Sequence, residues 1–417
     1  MKIKEFAQVI NGSTPSSKNP QYYDGDIVWF TPKDLATQNK KYVSVSERTI
    51  SEKGYKSCST SMLPPGSVLM SSRAPIGLLA ITTVPCCTNQ GFKSFILDTE
   101  KCNPEYLYYY LKYHIKEIES LGSGTTFKEV SKPSIEEYEV DLPSLEKQKK
   151  TIEILSIIDS KIQNNNKQIQ TLESLAKTIY DYWFVQFDFP NEDGKPYKSS
   201  GGKMVWNEEL KREIPEGWKV KSISEFDCYT SDFTANGSFA GLAENVIYNN
   251  TKDYARLIRI VDVPNDFVPE KSIYIDKKGY DYLKSCQLFG GEIIICNVGN
   301  AGFIFRCPFL NEKMVLGPNG IVLKKEDFEN FLYMYFSDQI GQHQIRTISS
   351  GSIQLKFNKT NFRKLKLFLP PIHVNSKFNL IYKDIESKRN CLWKENNELK
   401  KIKDFLLPLL MNGQVHV

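Results

Sequence analysis

The sequence contains few of the residues that build metal centres or redox sites. Its four histidines (His114, His343, His373 and His416) are scattered, and its nine cysteines include no C-x-x-C pair. This scarcity argues against the usual zinc-binding patterns. We therefore expect the cysteines to be reduced thiols that fill a core, as is common in cytosolic proteins.

Long apolar stretches are also missing. The amino-terminal segment MKIKEFAQVING has no apolar run of signal-peptide length, and nowhere do about 18 apolar residues follow one another. We expect a cytoplasmic protein without a membrane span. The 417 residues, 41% hydrophobic and 25% charged, suit two or three globular domains. A net charge of +5 permits a polyanionic partner without proving one.

Two short segments look like catalytic motifs but lack essential parts of them. Asn19-Pro20-Gln21-Tyr22 resembles the N-P-P-Y motif with which adenine methylases hold a flipped base, yet Gln21 replaces the second proline. No glycine-rich cofactor loop follows a strand nearby, so a plain loop is favoured. The Gly122–Thr126 segment lacks the Gly-Lys-Ser/Thr spacing of a phosphate-binding loop. We predict a chain with no catalytic centre, metal or cofactor.

What the chain does contain is an internal repeat. Residues 121–143 read LGSGTTFKEVSKPSIEEYEVDLP, and residues 349–370 read SSGSIQLKFNKTNFRKLKLFLP. An offset of 227 positions relates Gly124 to Gly351 and also relates the two Leu-Pro steps that end these segments. Upstream, GSVLMSSRAPIG matches GEIIICNVGNAG at an offset of 225. Each copy has strands, then a helix, then the Ser-Gly turn, which predicts an α+β domain used twice.

A long helical pattern follows each copy. The apolar positions step alternately by four and three, as in a coiled-coil seam. The first seam comprises Ile158, Ile162, Asn165, Ile169, Leu172, Ala176, Ile179 and Trp183. The second comprises Phe378, Ile381, Ile385, Lys388, Leu392, Glu395, Leu399, Ile402, Leu406 and Leu409.

Two such helices of equal length are predicted to pack together as an intramolecular antiparallel coiled coil. The antiparallel direction follows if a pseudo-twofold axis relates the two halves. The polar seam residues Asn165, Lys388 and Glu395 suit either a device that fixes the register or a surface facing a partner. The predicted boundaries are a first α/β domain at 1–143, a long helix at 144–187, an exposed linker rich in Pro, Gly, Ser and charge at 188–218, a second domain at 219–370 and a second long helix at 371–417.

Two similar domains on a stiff strut are typical of a reader of bipartite sites. If the ligand is duplex DNA, each domain can meet a groove when the half-sites lie about one turn (~34 Å) apart. Because the copies differ in sequence, the two half-sites should differ as well. The repeat and the strut also allow a pseudo-symmetric scaffold that joins proteins and touches no nucleic acid.

Several segments together resemble the specificity subunit of type I restriction–modification enzymes. They are NGSTPSSKNPQYYDGDIVWFTPKDL, PPGSVLMSSRAPIG, TNQGFKSFI, LGSGTTFKEVSK, the linker NEDGKPYKSSGG with REIPEGW, and the ending LLPLLMNGQV. The resemblance covers essentially the whole chain. It implies two target recognition domains on two antiparallel helices, without a catalytic centre.

The resemblance also implies partners. Two methyltransferase (modification) subunits would dock on the chain and methylate adenine with S-adenosylmethionine. Restriction subunits, which use ATP and Mg, would join the larger assembly for translocation and cleavage. A second interpretation is that the chain is the recognition module of a smaller restriction enzyme with a fused nuclease–methylase partner.

Candidate DNA contacts are polar and basic residues at loops and strand ends, since Arg, Lys, Asn and Gln read base edges and Ser, Thr and Lys hold phosphates. In the first domain they are Ser13, Thr14, Lys18, Lys33, Ser72, Arg73, Thr125, Thr126 and Lys128. In the second they are Asn297, Asn300, Arg306, Ser352, Gln354, Lys356, Asn358 and Lys359. For any single residue, a solvated loop position is the alternative.

Large apolar residues near the ends of both helices suggest a surface for another protein chain. The candidates are Trp183, Phe184, Phe187, Phe405 and Leu410. The alternative, which the residues leave open, is that they cap the two recognition domains.

Overall fold

The computed structural model describes residues 1–124, 128–265, 267, 269–351 and 354–414. The chain divides into two compact units. Unit 1 comprises Met1–Lys167 and Leu392–Val417, and unit 2 comprises Gln168–Cys391. The division crosses two long helices, so each unit contains one part of each helix.

Unit 1 contains a mixed domain and parts of two long helices. Its strands are β1 (Ala7–Asn11), β2 (Tyr23–Phe30), β3 (Tyr42–Val43), β4 (Thr49–Ile50), β5 (Val68–Ser72), β6 (Ile76–Thr82), β7 (Cys86–Thr88) and β8 (Phe92–Leu97). Its shorter helices are α1 (Pro32–Gln38), α2 (Glu52–Lys56), α3 (Pro104–Tyr113), α4 (Ile115–Ser120) and α5 (Lys132–Glu136). The first long helix, α6 (Leu145–Tyr180), continues into a π-helical turn at Asp181–Val185.

Unit 2 repeats this plan with more strands. They are β9 (Met204–Asn207), β10 (Arg212–Pro215), β11 (Lys219–Ser222), β12 (Tyr229–Asp232), β13 (Tyr248–Asn249), β14 (Ala255–Ile258), β15 (Ile273–Ile275), β16 (Gln287–Leu288), β17 (Ile293–Cys296), β18 (Val298–Gly299), β19 (Ile304–Arg306), β20 (Met314–Leu316), β21 (Gly320–Lys324), β22 (Leu355–Lys356) and β23 (Lys366–Leu369). The helices are α7 (Phe239–Asn245), α8 (Lys277–Tyr282), α9 (Glu329–Ser337), α10 (Gln339–Ile348), α11 (Lys359–Arg363) and the second long helix α12 (Ile372–Met411). Short 3-10 segments occur at Ile3–Glu5, Pro20–Tyr22, Phe233–Asn236, Ile260–Asn265, Pro269–Lys271 and Lys284–Cys286.

The central strands of the two domains share one sheet topology. In unit 1 the strands β1-β8-β5-β6 are consecutive neighbours and all antiparallel, with β3 at one edge, and a second sheet has the order β4-β2-β7. In unit 2 the order β12-β21-β17-β19 is again antiparallel throughout. The second sheet of unit 2 contains β15-β14-β20, which combines one antiparallel and one parallel pairing, as β4-β2-β7 does. The internal repeat is thus a repeat of the fold, and the predicted α+β class is confirmed.

Local signals in the sequence explain where several helices begin. Thr31 and Asp34 form a reciprocal capping box at the start of α1, with Pro32 in its first turn. Asn103 caps α3 by accepting a hydrogen bond from the backbone N–H of Glu105. The core strand β17 has the sequence IIIC and is buried along its whole length, as β-branched residues favour.

The long helices run antiparallel in the parts that each unit contains. In unit 1, Asp159 pairs with Lys403, and Asn165 Nδ2 donates to Glu395 Oε2 (2.8 Å) and to Asn396 Oδ1 (3.0 Å). In unit 2, Glu173 lies 3.7 Å from Arg389, and the ring of Tyr180 packs near that of Phe378. Successive contacts therefore involve higher residue numbers on α6 and lower residue numbers on α12. This confirms the predicted antiparallel coiled coil.

The seam of α12 departs from its predicted phase at three of its ten predicted positions. Ile381, Lys388 and Ile402 are exposed, whereas Tyr382, Asn396 and Lys403 are buried or half-buried against α6 or the adjoining domain. The inward-facing residues of α12 are Phe378, Tyr382, Ile385, Leu392, Asn396, Leu399, Lys403 and Leu410, separated by three, four or seven positions. The prediction favoured the apolar Ile381 and Ile402, whereas the seam uses the neighbouring Tyr382 and Lys403, and Lys403 pairs with Asp159.

The segment between the halves was predicted to be an exposed linker; many of its residues are exposed, but it is anchored to unit 2 at several points. Phe189, Ile214 and Trp218 are buried in the core of unit 2, and β9 and β10 form a hairpin. The carboxylate of Asp188 accepts hydrogen bonds from the backbone and the hydroxyl of Ser199 (2.7 and 2.6 Å). The composition of this segment, rich in Pro, Gly and charged residues, indicates a flexible linker. Its few aromatic residues nevertheless anchor it to the core of unit 2.

Seven of the nine cysteines are buried as free thiols, as predicted. Within the described residues, no helix combines the length and the apolar character that crossing a bilayer requires. Over the same residues, no group of three or more His, Cys, Asp or Glu side chains is arranged to hold a metal ion.

Candidate nucleic-acid interface

One edge of the main sheet in unit 1 holds a set of loops through backbone hydrogen bonds. The N–H of Val130 donates to the carbonyl of Ser72 (3.0 Å), and the N–H of Ser72 donates to that of Gly91 (2.7 Å). Ser123 and Glu129 exchange two backbone hydrogen bonds (3.1 and 3.0 Å) across the Ser-Gly turn. These bonds bring the end of β5, the turn before β8 and the Ser-Gly turn into one place.

The corresponding edge in unit 2 has the same bonds. Phe357 N–H donates to the carbonyl of Asn297 (3.0 Å), and Asn297 N–H donates to that of Asn319 (3.0 Å). Ser350 and Lys356 exchange two backbone hydrogen bonds (both 2.9 Å). We call this shared set of backbone bonds the frame. The repeat in the sequence thus reproduces one loop arrangement in both units.

The turn within each frame requires glycine. Gly124 has φ of 121° and Gly351 has φ of 112°, values in the region that L-residues rarely adopt. A Cβ on Gly351 would also collide with the backbone carbonyl of Gln354. This explains why the Ser-Gly pair recurs at an offset of 227 positions.

The frame of unit 1 carries a cluster of charged side chains. Lys93 Nζ lies 3.2 Å from Glu129 and 3.4 Å from Ser72 Oγ, and Arg73 lies 3.7 Å from the same Glu129 carboxylate. The side chain of Arg73 is 37% exposed, and Lys128 is exposed beside it in sequence. Positive charge therefore exceeds negative charge at this edge, as phosphate binding requires.

The other candidates of the first domain lie around this edge or on its approach. Ser13 donates its N–H to the carbonyl of Thr88 (2.9 Å), and the hydroxyl of Thr14 bonds to Gln90, one residue before Gly91. Lys18 is exposed in a loop, and Lys33 is exposed on α1, where it pairs with Glu47 (2.7 Å). Ser72 itself is buried, so its backbone serves the frame. Thr125 and Thr126 lie outside the described residues.

The frame of unit 2 carries different chemistry. Gln354, Lys356 and Asn300 are exposed, and β18 pairs with β22 so that Val298 is opposite Lys356. In the described part of the chain, Lys356 has no ion-pair partner, unlike Glu129, which occupies the same place in unit 1. Cys296 precedes Asn297, and burial raises the pKa of its thiol, so Cys296 stays neutral. Ser352 lies outside the described residues.

Three candidates of the second domain are engaged elsewhere. Arg306, 9% exposed in its side chain, pairs with Glu386 of α12 (3.1 Å) and with Asn330 (2.7 Å), so it is not free to reach DNA. This corrects its predicted role: the guanidinium holds the domain to the helix. Asn358 caps α11 by accepting from the N–H of Asn361 (2.7 Å), and Lys359 pairs with Asp232 (3.2 Å).

Sequence reasoning missed several residues at these edges. Lys93 is a charged residue inside the apolar strand β8, a signal that the sequence did contain. Gln90 and Asn319 gave no such signal, because only the fold brings their loops to the frame. The Asn19 side chain accepts from the N–H of Gln21 (3.1 Å) and caps a short 3-10 helix, which agrees with the loop interpretation of Asn19–Tyr22.

The predicted partner surface also changes. Trp183, Phe184, Phe187 and Leu410 are buried in the cores of their units, so they cap the recognition domains and are not available to another chain. Phe405 is 69% exposed and stays a candidate. Because Asp159 pairs with Lys403, Ile157 lies level with Phe405, and Ile157 and Ile402 are exposed too. In unit 2 the exposed apolar residues of the same helices include Leu175, Leu380 and Ile381.

Comparisons with known proteins identify the family. The family model described as the type I restriction modification DNA specificity domain matches residues 1–174. The type I restriction enzyme MjaIX specificity subunit of Methanocaldococcus jannaschii is 32% identical, covering 100% of this chain and 93% of its own length. The HindI specificity subunit of Haemophilus influenzae is 22% identical over 72% of this chain and 74% of its own length.

A solved structure has the same fold. The crystal structure of the type I restriction–modification S subunit from M. genitalium superposes with a TM-score of 0.53 at 15% identity, covering 98% of this chain and 95% of the other. With two repeated recognition domains, an antiparallel helix pair and a full-length relative at 32% identity, the chain belongs to the specificity subunits of type I restriction–modification enzymes, which are not themselves catalytic.

Proposed function

We propose that each recognition domain binds one half of a bipartite, asymmetric site on double-stranded DNA. The observation that carries the proposal is the frame, which recurs in both units with different side chains. An identical backbone arrangement suits a shared mode of approach to the duplex, while Arg73 in one unit and Gln354 in the other suit different base sequences. The two long helices would fix the length of the unread spacer between the half-sites.

The proposal includes protein partners. Exposed apolar residues on the helices of unit 1 (Ile157, Ile402 and Phe405) and of unit 2 (Leu175, Leu380 and Ile381) supply one candidate docking surface in each unit. Two surfaces suit two methyltransferase subunits, with restriction subunits joining through the complex in the cytoplasm. S-adenosylmethionine, ATP and Mg would belong to those partners.

The decisive experiment is to map methylated adenines in DNA from cells that express the chain with its methyltransferase subunits. We expect one bipartite motif with two different halves and a constant gap. Replacing unit 2 residues of the frame should change only one half of that motif. A genome without a motif that depends on this chain would contradict the proposal.

A binding experiment separates a DNA reader from a protein scaffold. The assembled complex should bind duplex DNA in a mobility-shift assay, and the affinity should fall steeply as salt rises, because phosphate contacts release counterions. A scaffold would assemble equally well with its partners and show no such salt-dependent binding.

A further inference from the structure

A cavity in unit 2 is lined by basic side chains. Its volume is about 740 Å³, and its lining includes Arg212 of β10 together with His343 and Arg346 of α10. No carboxylate is among its lining residues within the described chain. The walls also include Tyr335, Phe368 and Ile340, so the charged groups stand against an apolar background.

Arg212 is held in place but not neutralised. Its guanidinium lies 4.9 Å from the ring centre of Phe187 and 5.3 Å from that of Phe368. Its only hydrogen bond among the described residues is a long one, 3.4 Å to the carbonyl of Val185, and it has no ion-pair partner there. Burial lowers the pKa of this guanidinium, which nevertheless stays charged near neutral pH.

The carboxylate of Asp338, whose charge acts on Arg212, already has other partners. Asp338 pairs with Lys177 (3.3 Å) and accepts a hydrogen bond from the N–H of Ile340, so it does not neutralise Arg212. A guanidinium has five N–H donors in a planar fork, and among the described residues the fork of Arg212 makes the one long bond to Val185. Two aromatic rings fix the orientation of this planar guanidinium, so it can donate two parallel hydrogen bonds to one oxyanion, such as a carboxylate.

We propose that this cavity binds an acidic side chain of a partner protein, and that the partner is the methyltransferase subunit; the inference rests on the proposed function. A polypeptide carboxylate fits better than a DNA phosphate for two reasons. The fork is recessed, whereas the phosphates of a duplex are reached by protruding basic side chains. The walls of Tyr335, Phe368 and Ile340 also match the apolar neighbours of an acidic residue in a protein interface.

The test compares Arg212→Gln and Arg212→Lys in the full chain, using the methyltransferase subunit as the binding probe in calorimetric titrations. We expect Arg212→Gln to raise the Kd of assembly at least ~10-fold, because one partner of a desolvated charge pair is lost. The Kd of Arg212→Lys should lie between those of the wild type and Arg212→Gln, since lysine keeps the positive charge and lacks the planar guanidinium. Arg363→Gln, an exposed arginine of α11 in the same unit, should leave the Kd unchanged.

A second variant removes the risk that Arg212→Gln simply unfolds unit 2. Arg346 is exposed, so Arg346→Gln preserves the core, and we expect a severalfold weaker assembly. If the Kd of assembly of both glutamine variants stayed within about twofold of the wild-type value, the inference would be overturned. Normal assembly with weakened DNA binding would also overturn it and assign the oxyanion to DNA. A wild-type chain that neither assembled nor bound DNA specifically would contradict the proposed function instead.

Discussion

Arg306 Nε lies 3.1 Å from the carboxylate of Glu386, and its guanidinium packs on the rings of Tyr333 and Tyr382. This pair joins the second recognition domain to α12. In unit 1 the residue that aligns with Glu386 in the repeat is Asp159, which pairs with Lys403 and lies 3.8 Å from Lys41 of the recognition domain. Each domain is therefore attached to a long helix through a carboxylate at the same place in the repeat.

Glu386→Gln should destabilise the attachment of the second domain. The Arg306 guanidinium would lose its counter-charge in a buried position, a loss of about 3 kcal/mol in the free energy of unfolding of unit 2. Hydrogen–deuterium exchange of β19 and α12 would measure it. Glu208→Gln, which breaks the exposed pair with Lys211, should change the stability by under ~0.5 kcal/mol. Equal exchange in the two variants would contradict this role of Glu386.

Arg73→Ala should weaken DNA binding at one half-site. If Arg73 reads a base, the loss is about 1–3 kcal/mol on the cognate half-site and small on unrelated duplexes. Fluorescence anisotropy with duplexes altered in one half at a time would show this. Lys53→Ala, an exposed residue of α2, serves as the control. An equal loss on all duplexes would reassign Arg73 to phosphate contact or to folding.

Lys356→Ala should weaken binding to every duplex to a similar degree. Its ammonium group is exposed at the frame of unit 2, where a contact with phosphate carries no base information. We expect the slope of log K against log salt to fall by about one. Titrations at several salt concentrations provide the measurement, and an unchanged slope would exclude Lys356 from the phosphate contacts.

Phe405→Asp should impair docking of a methyltransferase subunit while leaving the chain folded. Phe405 is 69% exposed, so a charge there costs the free chain little, whereas an apolar interface would have to bury it. Size-exclusion chromatography with light scattering would detect the loss of one subunit. Lys394→Asp, exposed on the same helix within unit 1, is the matched control. A complex of full mass with Phe405→Asp would remove this residue from the interface.

Asn165→Leu should reveal the role of the polar cluster in the helix pair. Asn165 is fully buried, and its removal takes a hydrogen-bond donor from Glu395 and from the buried Asn396 Oδ1, at a cost of about 1–3 kcal/mol, although Glu395 keeps its pair with Lys161 and Asn396 its bond to Asn166. Replacing both Asn165 and Asn396 by leucine should recover part of this loss, because both polar groups leave together. Urea denaturation of the two single variants and the double variant would measure the coupling. Additive losses would contradict it.

The repeat, the α+β class and the antiparallel helices could be predicted because they follow from spacing along the chain. The phase of α12 and the buried segment around Trp218 could not, since Tyr382, Asn396 and the aromatic residues of that segment are buried through partners that composition does not reveal. Arg306 illustrates the same limit: a strand-end arginine looks like a DNA contact until Glu386 is seen beside it. The frame could not be predicted either, because main-chain hydrogen bonds impose little preference on residue type.

That main-chain character has an evolutionary consequence. Main-chain hydrogen bonds hold the loop at the position that Glu129 occupies in one copy and Lys356 in the other, so the path of the loop does not depend on the charge of that side chain. Under the proposed function, a lineage could exchange exposed side chains at such positions and alter its target sequence while the loop keeps its path.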